Sequence, residues 1–232
     1  MRKLILLAYG PGDGLSELRR EMENTGAYDA VCISYAGQKA QIRYPDATPT
    51  AVLRQTADSE RVVLPLLMTQ GTVYHTVRAQ MDRIAQTRWI APLLEDTQSV
   101  RQMADTLCDM LHPQPTEGYI LLCHGSCKSD SSGYMRLQAS LPENMRVILL
   151  HGSPNFEDAV IGLQDVQSLY VLPLLLIGGY HLKADILASD SPTMSALRKS
   201  GKPFFVRQTG LTGDPIFRTW LCRRAASFSA AK

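Results

Sequence analysis

The chain has 232 residues, 45% hydrophobic and 20% charged, which is enough apolar material for one large core or two half-sized ones and excludes a disordered segment. Its 24 basic and 22 acidic residues leave a formal charge of +2, with basic clusters only at Arg19-Arg20 and Arg223-Arg224, so the electrostatic footprint of a nucleic-acid binder is missing. Five cysteines, an odd number in a chain too large to need disulfides, favour reduced thiols and a cytoplasmic setting.

At the amino terminus, MRKLILLAYG sets two basic residues ahead of an apolar stretch, as a signal peptide does. The stretch is shorter than a signal core, and Tyr9-Gly10-Pro11-Gly12 follows where a small-residue cleavage site would sit, so it reads as a first strand. No segment approaches the roughly 20 apolar residues that span a bilayer, and a soluble protein without a membrane partner is expected. Apolar runs of strand length then alternate with helix-like segments. They lie at 3–8, 30–34, 61–68 and 88–92 in the first half, and at 119–123, 146–150, 169–177 and 203–207 in the second. This alternation predicts an α/β protein built on parallel sheets.

The two sets resemble each other. LILLAYGPGD parallels YILLCHGSCKSD, and VVLPLLMTQGTVYH parallels YVLPLLLIGGYH, each of the second pair with a proline inside the strand and glycine soon after. The fourth strand of each half is followed by a helix start, at Glu95-Asp96-Thr97 and at Gly213-Asp214-Pro215. Two prolines in His112-Pro113-Gln114-Pro115 interrupt a helical pattern and set a boundary between domains 1–112 and 113–232. The expectation is a duplicated, Rossmann-like half-domain, with two parallel sheets facing a central cleft.

Three of the five histidines, His124, His151 and His181, each follow a predicted strand. Open parallel sheets bind ligands at the carboxyl ends of their strands, so three imidazoles delivered there point to a metal or proton-handling site. Neutral imidazole suits divalent transition metals, and three leave a coordination position open. His75, within a predicted helix, and His112, at a helix end, read as surface residues. Cys123 and Cys127 flank His124, but the second ligand pair of a structural zinc site is absent. The run Gly10-Pro11-Gly12-Asp13-Gly14 resembles a phosphate loop without its G-x-G-x-x-G spacing, and Pro11 removes a backbone donor.

One resemblance covers nearly the whole chain. Cys123-His124-Gly125-Ser126, the VLPLLLIGGYH run ending at His181, Ala188-Ser189-Asp190 and Gly210-Leu211-Thr212-Gly213-Asp214-Pro215 resemble the anaerobic sirohydrochlorin cobaltochelatases, class II chelatases related to ferrochelatases. Weaker matches lie in the first half, at Ala36-Gly37 with Ile42-Arg43 and in the 66–74 stretch. The resemblance implies two chelatase-like domains around a cleft for a flat tetrapyrrole, with His124 and His181 as metal ligands. It also implies a cytoplasmic lyase of cobalamin biosynthesis. The metal is substrate, namely cobalt or else iron, nickel or zinc, and no organic cofactor is needed.

The chain departs from the family pattern twice. His151 stands where the family typically has a glutamate, and Met68 where it often has a histidine. Imidazole supplies basicity without the negative charge of a carboxylate. The expected site is therefore His124, His151 and His181 for metal and catalysis, with Tyr9, Gly10, Met68, Ser126 and Tyr180 against the tetrapyrrole. Two other readings compete. One is a non-catalytic tetrapyrrole or metal carrier descended from a chelatase, and the other is a three-histidine metal hydrolase, for which Asp185 and Asp190 are the only nearby carboxylates. Self-association is left open.

Overall fold

The computed structural model describes the chain except for residues 126–130, 152–153, 157–161, 179–181, 183–185 and 231–232 and the side chain of His151. Strands β1 (Arg2–Ala8), β2 (Ala30–Tyr35), β3 (Glu60–Pro65) and β4 (Arg88–Trp89) form one sheet in the order β2-β1-β3-β4. Strands β5 (Glu117–Gly125), β6 (Met145–His151), β7 (Ser168–Pro173) and β8 (Phe204–Val206) form a second, in the matching order β6-β5-β7-β8. Every pairing is parallel. The described helices are α1 (Leu15–Asn24), α2 (Gln38–Arg43), α3 (Pro49–Gln55), α4 (Thr72–Asp82), α5 (Thr97–Leu111), α6 (Ser132–Ala139), α7 (Pro192–Lys199) and α8 (Pro215–Ala230). The α/β class and the likeness of the two halves are thus as the sequence predicts.

Strand ends differ from the predicted ones for a chemical reason. β3 and β7 stop at Pro65 and Pro173, opposite Leu7 and Leu122, rather than running on to residues 68 and 177. In each half the fourth strand makes one more backbone bond, from Ile90 to Val63 or from Arg207 to Val171. The next bond of that ladder would be donated by the proline, which has no N–H. Beyond the proline the chain leaves the sheet and is held from the segment after the fourth strand. Leu94 donates to Met68 at 2.8 Å, and Thr212 to Leu176 at 2.9 Å.

Alternation along the strands sorts the apolar side chains into layers. Leu4, Leu6 and Ala8 of β1 and Tyr119, Leu121 and Cys123 of β5 belong to one central core, filled by α1, α5, α6 and α8. Ile5, Leu7 and Val63 face the opposite way onto α3 and α4. Ile120, Leu122 and Val171 face a third cluster containing Leu182, Ile186 and Leu197. The central helices cross between the halves: α5 packs on α6 and α8, and α8 packs on α1. Near its end α8 reaches the first sheet. Tyr28 donates its hydroxyl to the Ala225 carbonyl at 2.8 Å, and the Arg2 guanidinium reaches the Ser229 carbonyl at 2.8 Å.

A reciprocal contact joins the halves. The 10–14 loop after β1 packs on Ile177-Gly178 and on the turn before α8, so closely that a Cβ on Gly12 would lie 2.1 Å from the Gly178 carbonyl oxygen. Gly14, at φ +77°, leads into α1, and a Cβ there would lie 1.9 Å from the Thr212 carbonyl oxygen. In the other direction Gly133 at the start of α6 abuts Leu94, and Arg136 donates to the Leu94 carbonyl at 2.7 Å. The loop after the first strand of the first half thus meets the segments after the third and fourth strands of the second, and helix α6 of the second half meets the segment after the fourth strand of the first. Both sheets therefore present their carboxyl ends at the same end of the molecule.

Two measurements test this packing. Gly14→Ala forces a left-handed backbone and a clash with main chain, and is expected to lower the urea unfolding free energy by roughly 3 kcal/mol or more. Burial pushes the Tyr28 phenol up to about 12. A raised folded-state pKa means that its stabilising effect is complete below the ordinary tyrosine value near 10 and is lost as pH rises through about 12. Stability measured between those values should fall less steeply in Tyr28→Phe than in the unaltered protein.

Candidate functional site

The second sheet runs further at its carboxyl edge than the first. In the first sheet the β1–β2 register ends at Ala8 opposite Tyr35, whereas β5 and β6 go on to pair Gly125 with His151. His124 is accordingly part of β5 and not a residue after it. The register makes Tyr9 its counterpart, since Leu7 faces Pro65 as Leu122 faces Pro173. The extra pair in the second sheet brings the main chains of His124 and His151 onto adjoining strand ends.

The chemistry of His124 is legible from one bond. Its Nδ1 lies 2.9 Å from the Gly125 carbonyl oxygen, and the ring is half-buried. A carbonyl only accepts, so Nδ1 is the protonated nitrogen and, in the neutral ring, Nε2 carries the lone pair. A backbone carbonyl on one nitrogen that fixes the tautomer of the other is the usual outer support of a metal-binding imidazole. The adjacent Cys123 is fully buried in the central core, and burial pushes its thiol well up. It remains a neutral thiol, which is not the form that binds metal. Alternation turns the neighbouring His124 to the other face.

Tyr9 and Met68 stand at strand ends of the first half. Tyr9 is 56% exposed, and its ring lies against Gly37, where a Cβ would come within 3.1 Å of the ring. Gly37 also donates its N–H to the Tyr9 carbonyl at 2.8 Å, so the two form one unit at the ends of β1 and β2. Gly10 follows, beside Ala40 of α2. Met68 is buried in the central core. Ser126, Tyr180, His181, Cys127 and Asp185 lie outside the described residues.

The remaining candidates fall into structural roles. His75 is exposed on α4, edge-on to Tyr74, and His112 caps α5 in a left-handed conformation at φ 45°. Asp190 is exposed, and the cap of α7 is Ser191, which accepts from the Met194 amide at 3.2 Å. The 10–14 run is not a phosphate cradle, because its glycines serve the close approach of the two halves. The sequence shows Glu95 only as part of a helix start, yet its carboxylate accepts the Gln70 backbone amide at 2.6 Å and tethers the loop after β3. The role of Gly37 beneath Tyr9 was likewise visible only as part of a weak family match.

Among the described residues no three His, Cys, Asp or Glu side chains form a group that could hold a metal ion. Among them, too, no helix is long and apolar enough to cross a membrane. Two open grooves lie on the helical surface, one of about 530 Å³ bordered by Thr50, Gln80 and Arg83 and one of about 410 Å³ bordered by Glu21, Thr219 and Arg223. Neither borders a strand-end histidine.

Comparison with known proteins agrees with this geometry. No curated protein matches the chain. The structure of DR2241 from Deinococcus radiodurans, a multi-domain protein described as similar in structure to chelatases and carrying two additional novel domains, matches with a TM-score of 0.66. Identity is 16%, over 97% of this chain and 55% of that one, so this chain spans about half the length of that protein and shares its fold. The family model of cobalt chelatase (CbiK) matches residues 31–226. With parallel sheets of the same order, strand-end histidines and a family match across most of its length, the chain belongs to the cobalt chelatase (CbiK) family.

Proposed function

We propose that this protein inserts a divalent metal ion, cobalt in the first instance, into a sirohydrochlorin-type tetrapyrrole. The observation that carries the reading is the oriented imidazole of His124 at the carboxyl end of β5, within the span that the cobalt chelatase model matches. In this reading Nε2 of His124, with His151 and His181, receives the metal substrate, while Tyr9 and Gly10, with Ser126 and Tyr180, face the macrocycle and Met68 packs in the core. Distortion of the macrocycle presents pyrrole lone pairs to the metal, which passes from imidazole to pyrrole nitrogen. Two pyrrole protons leave as the dication enters, so charge balances, and His124 and His151, relieved of the metal, accept one each.

His151 shapes the energetics. Three neutral imidazoles hold a dication without compensating its charge, which favours the softer first-row metals over magnesium or calcium and favours release into the dianionic macrocycle. The same substitution supports a second reading, a carrier that binds the metallated tetrapyrrole without turnover.

Anaerobic spectrophotometry separates the two. Sirohydrochlorin with cobalt or ferrous iron should give a time-dependent, catalytic absorbance change with the enzyme, and a stoichiometric one with a carrier. His181→Ala is expected to lower the insertion rate by about 10²-fold or more while the circular dichroism spectrum and unfolding midpoint stay unchanged. Wild-type speed in that variant would overturn the assignment. His151→Glu restores a carboxylate and should lower the KM for cobalt, measured with the tetrapyrrole saturating.

A further inference from the structure

Thr212 is completely buried, yet it is polar. Its place in the repeat shows that packing alone does not require this. The matching residue of the first half is Leu94, which makes the same backbone bond, to Met68, as Thr212 makes to Leu176. An aliphatic side chain therefore satisfies the fold at this point of the half-domain. At Thr212 the hydroxyl is a three-centre donor, 2.7 Å from the Asp13 carbonyl oxygen and 2.6 Å from that of Leu176. Asp13 belongs to the loop that begins with Tyr9 and Gly10, and Leu176 to the segment that leaves β7. One buried hydroxyl thus ties the strand-end loop of one half to that of the other.

We infer that Thr212 is a positioning residue for the tetrapyrrole: its hydroxyl holds the 10–14 loop, and through it Tyr9, at a fixed distance from the second half's strand ends. The inference rests on the chelatase reading and names a residue that the strand-end site itself does not include. The two links made by Thr212 can be separated chemically. The bond from its backbone N–H to Leu176, 2.9 Å long, survives any side-chain change, so losing the hydroxyl removes its bond to Asp13 but leaves one of its two bonds to Leu176. Losing that tie leaves a carbonyl without its partner inside the seam and loosens the loop that carries Tyr9. The segment after β7, on the metal side, keeps its own bond.

The test compares Thr212→Val with Thr212→Ser in the full chain. In the valine variant hydrogen exchange across residues 10–14 should quicken. The dissociation constant for metal-free sirohydrochlorin should rise about tenfold, the scale of one lost buried hydrogen bond. The KM for cobalt and kcat should stay within about twofold, because the backbone bond to Leu176 is intact. Serine, which keeps the hydroxyl, should restore wild-type exchange and affinity. A valine variant that binds the macrocycle as tightly as wild type overturns the role of Thr212 and leaves the chelatase reading standing. So does a loss that merely tracks the unfolded fraction, or one that serine fails to rescue. Wild-type protein that does not bind sirohydrochlorin at all overturns the chelatase reading, and this one with it.

Discussion

A parallel sheet has two faces to cover, and this chain covers the inner faces of both its sheets with a single layer of helices. All of Leu4, Ile5, Leu6, Leu7 and Ala8 in β1 are fully buried, as are Ile120, Leu121 and Cys123 in β5, so neither sheet tolerates an open side. Sharing the layer forces α5 and α8 to serve both halves. It also sets the relative rotation of the sheets, from which the reciprocal contact between the halves follows. That contact brings the two carboxyl edges to one end of the molecule and gives the family chemistry a common location.

Close approach of backbone to backbone is the second constraint, and it explains residues whose composition suggests another role. Gly12 and Gly14 look like a phosphate-binding loop on paper. In the structure they are spaces without a Cβ, filled by the Gly178 and Thr212 carbonyls. Gly37 leaves room in the same way for the ring of Tyr9. On the second sheet the extra register pair, Gly125 with His151, extends the platform on which His124 is oriented by its neighbour's carbonyl.

Much of this could be read from the amino-acid order. Buried parallel strands are continuous apolar runs, so β1, β3, β5 and β7 were visible as such, and the repeated proline and glycine placements exposed the two halves. The ends of β3 and β7 were misjudged because hydropathy does not register a missing N–H, and Pro65 and Pro173 are both apolar and donorless. The extent of β5 was underestimated because His124 and Gly125 are poor strand formers, held in place by pairing with β6. The shared core was beyond reach, since an amphipathic pattern reports that a helix face is covered and not by which sheet. The histidines stood out by position, but the tautomer of His124 depends on a carbonyl whose direction only three-dimensional coordinates supply.

The crossing of α8 onto the first half bears on the order in which the molecule can be made. A ribosome releases the amino-terminal half first, and domains ordinarily consolidate as they emerge. Here the surface of α1 that Phe217 and Leu221 help to bury, the hydroxyl of Tyr28 and the guanidinium of Arg2 all wait for partners in residues 215–230. The first sheet is therefore synthesised more than a hundred residues ahead of the helix that closes it. Until residues 215–230 have emerged, the nascent chain carries an uncovered apolar face.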